Sequence, residues 1–176
     1  LVLLSPIFIA IATVVKISSP GPILFRQERI GRHGKSFTLL KFRTMQCSSK
    51  SESDRLWTTK NDPRCTVIGA ILRRFSLDEL PQLLNVVRGE MSLVGPRPER
   101  PYYVAKFGED FEKYNMRHRC HVGMTGWAQI NGLRGDTSIS DRLQYDLYYM
   151  RNWSFGMDLQ IIFRTAFVAF TGTNGY

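Results

Sequence analysis

Residues 75–101 constrain the chain most, because they set two adjacent carboxylates beside a short apolar helix in the run FSLDELPQLLNVVRGEMSLVGPRPERP. The carboxylates belong to Asp78 and Glu79. The dipole of a helix favours negative charge at the helix N-terminus, so capping is the ordinary role of such a pair. Any further role must come from what surrounds the two side chains.

The helix that follows the carboxylate pair has two possible starts. In the first, residues 81–88 form the helix, because Pro81 suits a first turn and Gly89 suits a helix end. In the second, Ser76 caps the helix and Glu79 is its capping-box partner three residues further on. Both starts predict that the carboxylates lie at a helix N-terminus.

Arginines surround the pair in the sequence, with Arg73 just upstream and Arg97 and Arg100 just downstream. Cations close to a carboxylate keep it ionised, and therefore nucleophilic or able to bind a metal. Guanidinium groups also grip phosphate oxygens in a fork. An acidic pair in a basic frame thus predicts metal-assisted phosphoryl chemistry, with these arginines as candidate phosphate ligands.

Length and charge narrow the class of protein. A chain of 176 residues with 43% hydrophobic residues predicts a single domain with a globular core, residues 1–176. The net charge of +9 predicts an anionic partner, which can be nucleic acid, an anionic membrane or a phosphorylated small molecule. The 3 cysteines are widely spaced, which argues against a zinc site or a disulfide framework and fits a reducing compartment.

Residues 1–15 are almost all apolar, and Lys16 ends the run. A helix needs about 20 such residues to span a bilayer. Ser5 and Pro6 lie inside the run, and a proline within a helix bends the helix axis. Three interpretations remain open: a buried core helix, a truncated membrane-spanning helix, or a kinked helix that enters the membrane and returns.

A β-hairpin is predicted from two strands, residues 23–27 and 37–45, joined by a glycine-bearing basic loop. Alternation along the second strand places Lys41 and Arg43 on one face, where they either meet solvent or bind an anion. Residues 47–62 are polar and rich in serine and lysine, which predicts a loop that is mobile or closes as a lid over a site.

The rest of the chain is predicted to be mainly helical. A glycine-bearing loop at residues 131–137 interrupts the helices and presents Arg134. Apolar residues at helical spacing place the helices, and Ser154 is a suitable cap for the last of them. The predicted helices are residues 66–74, one or two helices within 101–118, residues 140–151 and residues 155–170.

Five segments, which together cover nearly the whole chain, resemble a single protein family. The family is the bacterial sugar transferases, the monotopic polyprenyl-phosphate phosphoglycosyl transferases. The pattern LDELPQL…NV…GEMSLVGPRP is long enough to be highly specific. The five segments are LLSP, SPGPILFRQERIGRHGKSFTLLKFRTM, NDPRCTVIGAILRRFSLDELPQLLNVVRGEMSLVGPRPE, VGMTGWAQINGLRGDT and YDLYYMRNWS.

The resemblance implies transfer of a sugar phosphate, usually from a UDP-sugar, to a polyprenyl phosphate such as undecaprenyl phosphate, with release of UMP. It implies that Asp78 is the nucleophile and forms a phosphosugar-aspartyl intermediate, and that Glu79 supports Mg²⁺ at the diphosphate. Arg73 and Arg97 match family arginines that look like phosphate ligands. Arg134 looks like the family's loop arginine, which lies in NGLRG here and in a shorter NGR motif in smaller members.

The resemblance also implies an α+β, mostly helical architecture with a small β-hairpin and amphipathic membrane-surface helices around the active site. Residues 1–17 would form a re-entrant membrane helix broken at Ser5 and Pro6, and residues 18–176 a catalytic part on the cytoplasmic face of the bacterial inner membrane. The implied partners are a UDP-sugar, often UDP-glucose, undecaprenyl phosphate, membrane lipids and a second copy in a homodimer.

Two other classes of protein fit parts of the sequence. A basic module that binds a membrane surface or nucleic acid would explain the net charge of +9. No segment resembles a nucleic-acid motif, however, and the arginines cluster around carboxylates, which a phosphate backbone would repel. A soluble aspartyl-phosphate hydrolase would explain the carboxylate pair, but the sequence has no DxD motif and this class leaves the apolar N-terminus unexplained.

Overall fold

The structure is a computed structural model of the chain, and it describes residues 2–46 and 62–171. Within these ranges the architecture is α+β and mostly helical with two small sheets, as predicted. The loop predicted at residues 47–62 lies, apart from its last residue, outside the described residues. The helices and strands are α1 Ser5–Ser18, β1 Leu24–Ile30, β2 Ser36–Phe42, α2 Val67–Arg74, α3 Gln82–Val87, β3 Ser92–Val94, α4 Pro101–Asp110, β4 Gly123–Thr125, α5 Trp127–Ile130, α6 Ile139–Arg151 and α7 Phe155–Thr171.

Strands β1 and β2 form the predicted hairpin. They pair in antiparallel fashion, with Leu24 opposite Phe42 and Ile30 opposite Ser36. The first strand is longer than predicted and the second is shorter, because pairing ends where Phe42 meets Leu24. Arg43 therefore follows the strand and does not share a strand face with Lys41.

Strands β3 and β4 form a parallel pair that the sequence did not predict. Each strand has three residues, too few for an alternating pattern to be recognised. The two backbones approach closely at their ends: a Cβ atom added at Gly123 would lie 2.1 Å from the backbone nitrogen of Gly95. Glycine is therefore required at this contact, which places the loop after β3 beside the start of β4.

The predicted re-entrant helix over residues 1–17 is not supported. Ser5 and Pro6 form the first turn of α1 and do not interrupt it. A proline suits this position, because the first N–H groups of a helix have no partner within the helix. Ile11 and Val15 face the core. In the part of the chain that the structure describes, every helix is too short or too polar to cross a bilayer.

The buried side chains form three apolar clusters. Burial of apolar surface contributes roughly 25 cal/mol per Å², so these clusters hold the elements together. Leu77 and Leu80, on either side of the carboxylate pair, pack against the first cluster and seat the pair on the core. The cluster members are Ile11, Val15, Phe42 and Leu72 in the first, Val94, Tyr149 and Ile161 in the second, and Phe107, Tyr114 and Leu143 in the third.

Most predicted helices are confirmed to within one or two residues. Thr66, Ser138 and Ser154 each accept a hydrogen bond from the backbone N–H three residues further on, so side-chain capping sets where α2, α6 and α7 begin. The region predicted to hold one or two helices contains α4 and a 3₁₀ turn, Tyr114–Arg119. Leu143 on α6 is buried, as its spacing predicted.

Candidate active site

A cleft of about 1050 Å³ opens between α1, the β1–β2 hairpin and the loops that follow β3 and α5. Asp78 and Glu79 lie in its wall, and apolar residues of α1 and β1 form another part of that wall. The lining is strongly basic, as an anionic ligand requires. The basic residues are Arg26, Arg29, Lys41, Arg43, Arg64, Arg73, Arg97, Arg100, Arg117, Arg134 and Arg142.

The carboxylate pair lies in a tight turn and not at the start of an α-helix. Ser76 takes the left-handed conformation (φ 55°), and its N–H donates to the carbonyl of Arg73. Leu77–Glu79 then form one 3₁₀ turn, and α3 begins at Gln82 after Pro81. The Ser76 side chain makes no capping bond, so the capping-box start is wrong and the later start is correct to one residue.

Glu79 is held between two cations. Its Oε1 atom accepts a hydrogen bond from Nζ of Lys41 at 2.6 Å and another from the guanidinium of Arg97 at 2.7 Å. Burial alone would raise the pKa of Glu79, but Arg97 and Lys41 hold that pKa well below its usual range. Glu79 is therefore ionised at neutral pH, and it gathers two of the predicted phosphate ligands beside Asp78.

Asp78 is only 6% exposed, and within the described residues no hydrogen bond or ion pair engages its carboxylate. Burial raises the pKa of Asp78, and Glu79 adds to the rise, while Lys41, Arg73 and Arg97 oppose it. The sequence predicted that nearby cations would keep this carboxylate ionised. In the structure one of them, Arg97, bonds to Glu79 instead, as does Lys41 of the hairpin, and burial outweighs the effect of the cations on Asp78.

Three other predicted phosphate ligands reach the same cleft. Arg73 comes from the end of α2, and its Nε donates to Oγ1 of Thr44 at 2.9 Å. Arg134 comes from the loop after α5 and is partly buried. Arg100 is buried with its guanidinium 4.5 Å from the ring centre of Tyr103. The structure thus brings together arginines that are far apart in the sequence.

Arg43, the remaining predicted phosphate ligand, bonds to backbone carbonyls of the protein. It is 5% exposed, and its guanidinium donates to the carbonyls of Val15, Ser19 and Pro20. Carbonyls at the C-terminal end of a helix have no partner within the helix, so an arginine there satisfies them. Although Arg43 lines the cleft, these bonds use its charge to hold the end of α1 against the hairpin.

Two arginines that the sequence did not single out hold the loop that carries Arg97. Arg117 donates to the backbone carbonyl of Arg97 at 2.9 Å and to the carboxylate of Asp146 at 2.7 Å. Arg29 donates to the carbonyl of Pro98 at 3.0 Å. The backbone is therefore held at and just after Arg97. No local spacing reveals these contacts, because their partners lie 20 to 69 residues apart.

Replacing Asp146 by asparagine is expected to lower the free energy of unfolding by about 3 kcal/mol, because the change leaves the buried Arg117 cation without its carboxylate. Chemical denaturation measures the difference. Asp141→Asn is the matched control, since Asp141 is exposed on the same helix. Equal losses in the two variants would show that the buried ion pair contributes nothing beyond a surface carboxylate.

The donor atoms of the site fit a magnesium ion that binds together with a diphosphate. Among residues 2–46 and 62–171, no three histidine, cysteine, aspartate or glutamate side chains gather into a metal site. Mg²⁺ is commonly bound by one or two carboxylates plus substrate phosphates. Asp78 and Glu79 offer two adjacent carboxylates, and the described hydrogen bonds of Glu79 all use Oε1, which leaves Oε2 for such a role.

Comparison with known proteins defines the class. A sequence model of the family described as bacterial sugar transferase matches residues 1–172. The chain therefore belongs to the bacterial sugar transferase family, as its motifs indicated. The motif residues Asp78, Glu79 and Arg97 are those that the structure brings together in the cleft.

Individual relatives have more specific names. The UDP-glucose:undecaprenyl-phosphate glucose-1-phosphate transferase of Escherichia coli (strain K12) is 46% identical over 182 residues, which cover 100% of this chain and 39% of that protein. The exopolysaccharide production protein PSS of Rhizobium leguminosarum bv. phaseoli is 44% identical over 183 residues, covering 100% of this chain and 92% of PSS.

A third relative is named for a different sugar. The UDP-N-acetylgalactosamine-undecaprenyl-phosphate N-acetylgalactosaminephosphotransferase of Aeromonas hydrophila is 37% identical over 172 residues, which cover 97% of this chain and 40% of that protein. The chain thus spans about two-fifths of the Escherichia coli and Aeromonas proteins and nearly the whole of the Rhizobium protein.

Proposed function

We propose that this chain transfers a sugar 1-phosphate from a UDP-sugar to undecaprenyl phosphate and releases UMP. The observation that carries the proposal is the buried Asp78 carboxylate, which no described residue binds, in the wall of an arginine-lined cleft. The names of the relatives support the two substrate classes. Glucose is the favoured sugar, because the relative named for UDP-glucose is 46% identical and the one named for N-acetylgalactosamine is 37% identical.

Asp78 is the nucleophile in the first of two displacements and the leaving group in the second. An ionised Asp78 oxygen attacks the phosphorus that bears the sugar, a new P–O bond forms, and the bond from that phosphorus to UMP breaks with its electron pair leaving on UMP. An oxygen of undecaprenyl phosphate then attacks the same phosphorus and releases the Asp78 carboxylate. One carboxylate thus serves a soluble donor and a lipid acceptor in turn.

Lys41 and Arg97 supply positive charge where the diphosphate needs it. Both bond to Glu79 in the structure, so they are already positioned beside Asp78. Positive charges positioned in advance stabilise a phosphoryl group during transfer. Together with Arg73 they also favour the ionised form of Asp78, the form that attacks.

Magnesium is the proposed cofactor, and Glu79 would hold it. When bound, it would neutralise charge on the diphosphate oxygens. Less repulsion would then oppose the approach of the Asp78 carboxylate. This division of roles explains why two neighbouring carboxylates, with pKa values moved in opposite directions, serve one reaction.

The proposed place of the reaction is the cytoplasmic face of the bacterial inner membrane. Helices α1, α2 and α7 present apolar side chains to the outside, and large exposed apolar surfaces mark membrane or protein contacts. These helices would rest in the headgroup region beside the cleft, and the net charge of +9 would favour an anionic leaflet. The exposed apolar residues include Leu3, Ile9, Ile17, Val67, Ile71, Phe155, Phe163 and Phe167.

UMP release tests the proposed function. We expect the purified protein to turn over UDP-glucose, releasing more than one UMP per protein, only when undecaprenyl phosphate and Mg²⁺ are both present, and to turn over UDP-galactose and the N-acetylated donors more slowly. Release of sugar phosphate without lipid would instead indicate a hydrolase. No turnover with UDP-glucose, UDP-galactose or the N-acetylated form of either would support the alternative function, a basic binding module without catalysis.

A further inference from the structure

The side chain of Gln129 is buried in the cleft wall without a hydrogen-bond partner. It is 3% exposed, and neither its Oε1 nor its Nε2 atom has a partner among the described residues. The residue lines the same cleft as the carboxylate pair. Buried polar atoms are almost always hydrogen-bonded, so an amide with both ends unpaired requires a specific explanation.

Another buried side-chain amide, that of Asn85, is hydrogen-bonded at both ends. Asn85 is fully buried, yet its Oδ1 accepts from the backbone N–H of Leu40 at 3.1 Å and its Nδ2 donates to Glu90 at 2.6 Å. Gln82 also leaves its Nε2 unpaired, but Gln82 does not line the cleft. Gln129 thus combines an unpaired amide with a place in the wall of the proposed active site.

The backbone around Gln129 is held in place, which fixes the point in the cleft wall from which its side chain extends. Gly126 directly precedes helix α5, and a Cβ added there would lie 2.2 Å from the carbonyl oxygen of Gly95. After the helix, the N–H of Leu133 donates to the carbonyl of Ala128 at 3.0 Å. The helix is therefore fixed against the loop that leads to the arginine beside Glu79.

The hydrogen-bonding capacity of an amide indicates which part of the two proposed substrates Gln129 can bind. A glutamine side chain offers an acceptor and a pair of donors side by side. Phosphate oxygens only accept, so they would leave Oε1 of Gln129 unpaired, and a hydrocarbon chain offers neither function. Uracil and neighbouring sugar hydroxyls each offer a donor and an acceptor together.

We propose that the Gln129 amide binds the sugar nucleotide donor at a group that pairs a donor with an acceptor, either on the nucleoside or on the hexose. This inference rests on the proposed function and adds a residue that distinguishes the donor from the lipid acceptor. A site built to hydrogen-bond a substrate discriminates strongly against compounds that lack the matching group.

The test is Gln129→Met, which keeps an unbranched side chain of similar length and removes both polar atoms. Calorimetry measures the Kd of UMP and glucose 1-phosphate, and the Kd of UDP-glucose in the Asp78→Asn background, which cannot form the covalent adduct. We expect the Kd of UDP-glucose to rise about tenfold, the loss of roughly one good hydrogen bond. Weaker binding of UMP alone assigns the contact to the nucleoside, and weaker binding of glucose 1-phosphate alone assigns it to the hexose.

Thermal unfolding separates this role from a structural one. The melting temperature of Gln129→Met is expected to equal or exceed that of the wild type, because an unpaired buried amide is removed. Gln82→Met makes the same change outside the cleft and should bind all three compounds like the wild type. Unchanged binding by Gln129→Met, or by Gln129→Leu if the first variant does not fold, would overturn the proposal.

The two proposals fail in different ways. UMP release by the wild type reports on the proposed reaction, whereas calorimetry reports on donor binding without turnover. Weaker donor binding by Gln129→Met, alongside a wild type that never releases UMP, would reject the reaction and keep the binding role. A wild type that binds none of the three compounds would overturn the binding role.

Discussion

Replacing Asp78 by asparagine is expected to abolish UMP release and leave the fold intact. The rate should fall about a thousandfold or more, because an amide cannot form the proposed bond to phosphorus. The shape of the side chain is kept, and a carboxylate with an unfavourable burial is removed, so the melting temperature should not decrease. UMP release and thermal unfolding, measured on the same preparation, give both results.

Intact mass measurement with the donor alone tests the covalent step directly. The wild type should gain the mass of one sugar phosphate, and Asp78→Asn should gain nothing. Asp110→Asn is the control, because Asp110 is an exposed aspartate on α4 and should form the adduct normally. An adduct that persists in Asp78→Asn, or that maps to another residue, would show that a different group is the nucleophile.

Replacing Lys41 by methionine is expected to lower kcat/KM for the donor about a hundredfold and to move its acid limb to higher pH. Burial raises the pKa of Asp78, and Lys41 is the cation that most opposes this rise. Without Lys41 the pKa of Asp78 rises further, so the carboxylate takes up its proton at a higher pH. Since only the ionised form attacks, activity is then lost earlier as the pH falls.

A profile of kcat/KM from about pH 5 to about pH 9 measures the shift. Lys35→Met is the matched control, because Lys35 is exposed on the same hairpin and its acid limb should coincide with that of the wild type. A uniform decrease at every pH in Lys41→Met would mean that Lys41 assists binding without tuning Asp78. That result would reject the electrostatic account of its role.

The parts of the fold that the sequence predicted correctly are those that short patterns determine. The hairpin and the long helices depend on residues close together in the chain, so they can be found from the sequence alone. Ser5 and Pro6 illustrate the limit of this approach. A proline in an apolar run is compatible with a kink and with a first turn, and only the packing of Ile11 and Val15 distinguishes the two.

The electrostatics of the carboxylate pair depended on tertiary structure. The sequence placed arginines near Asp78, but the sign of its pKa shift depends on how deeply the 3₁₀ turn is buried. Lys41 lies on the hairpin and Arg97 on the loop after β3, so the carboxylate to which they bond depends on how these two elements pack. Gln129 was missed for the same reason, since an unpaired amide is visible only when every neighbour is known.

The anchored loop around Arg97 limits which part of the protein must move when a phosphate binds. Arg117 holds the carbonyl of Arg97 and Arg29 holds the next carbonyl, so the backbone is fixed while the side chain remains about one-third exposed. The guanidinium can therefore turn toward a phosphate by side-chain rotation, which is a faster class of motion than the movement of a loop. In the proposed reaction, Arg97 would engage the donor diphosphate without any opening of the loop.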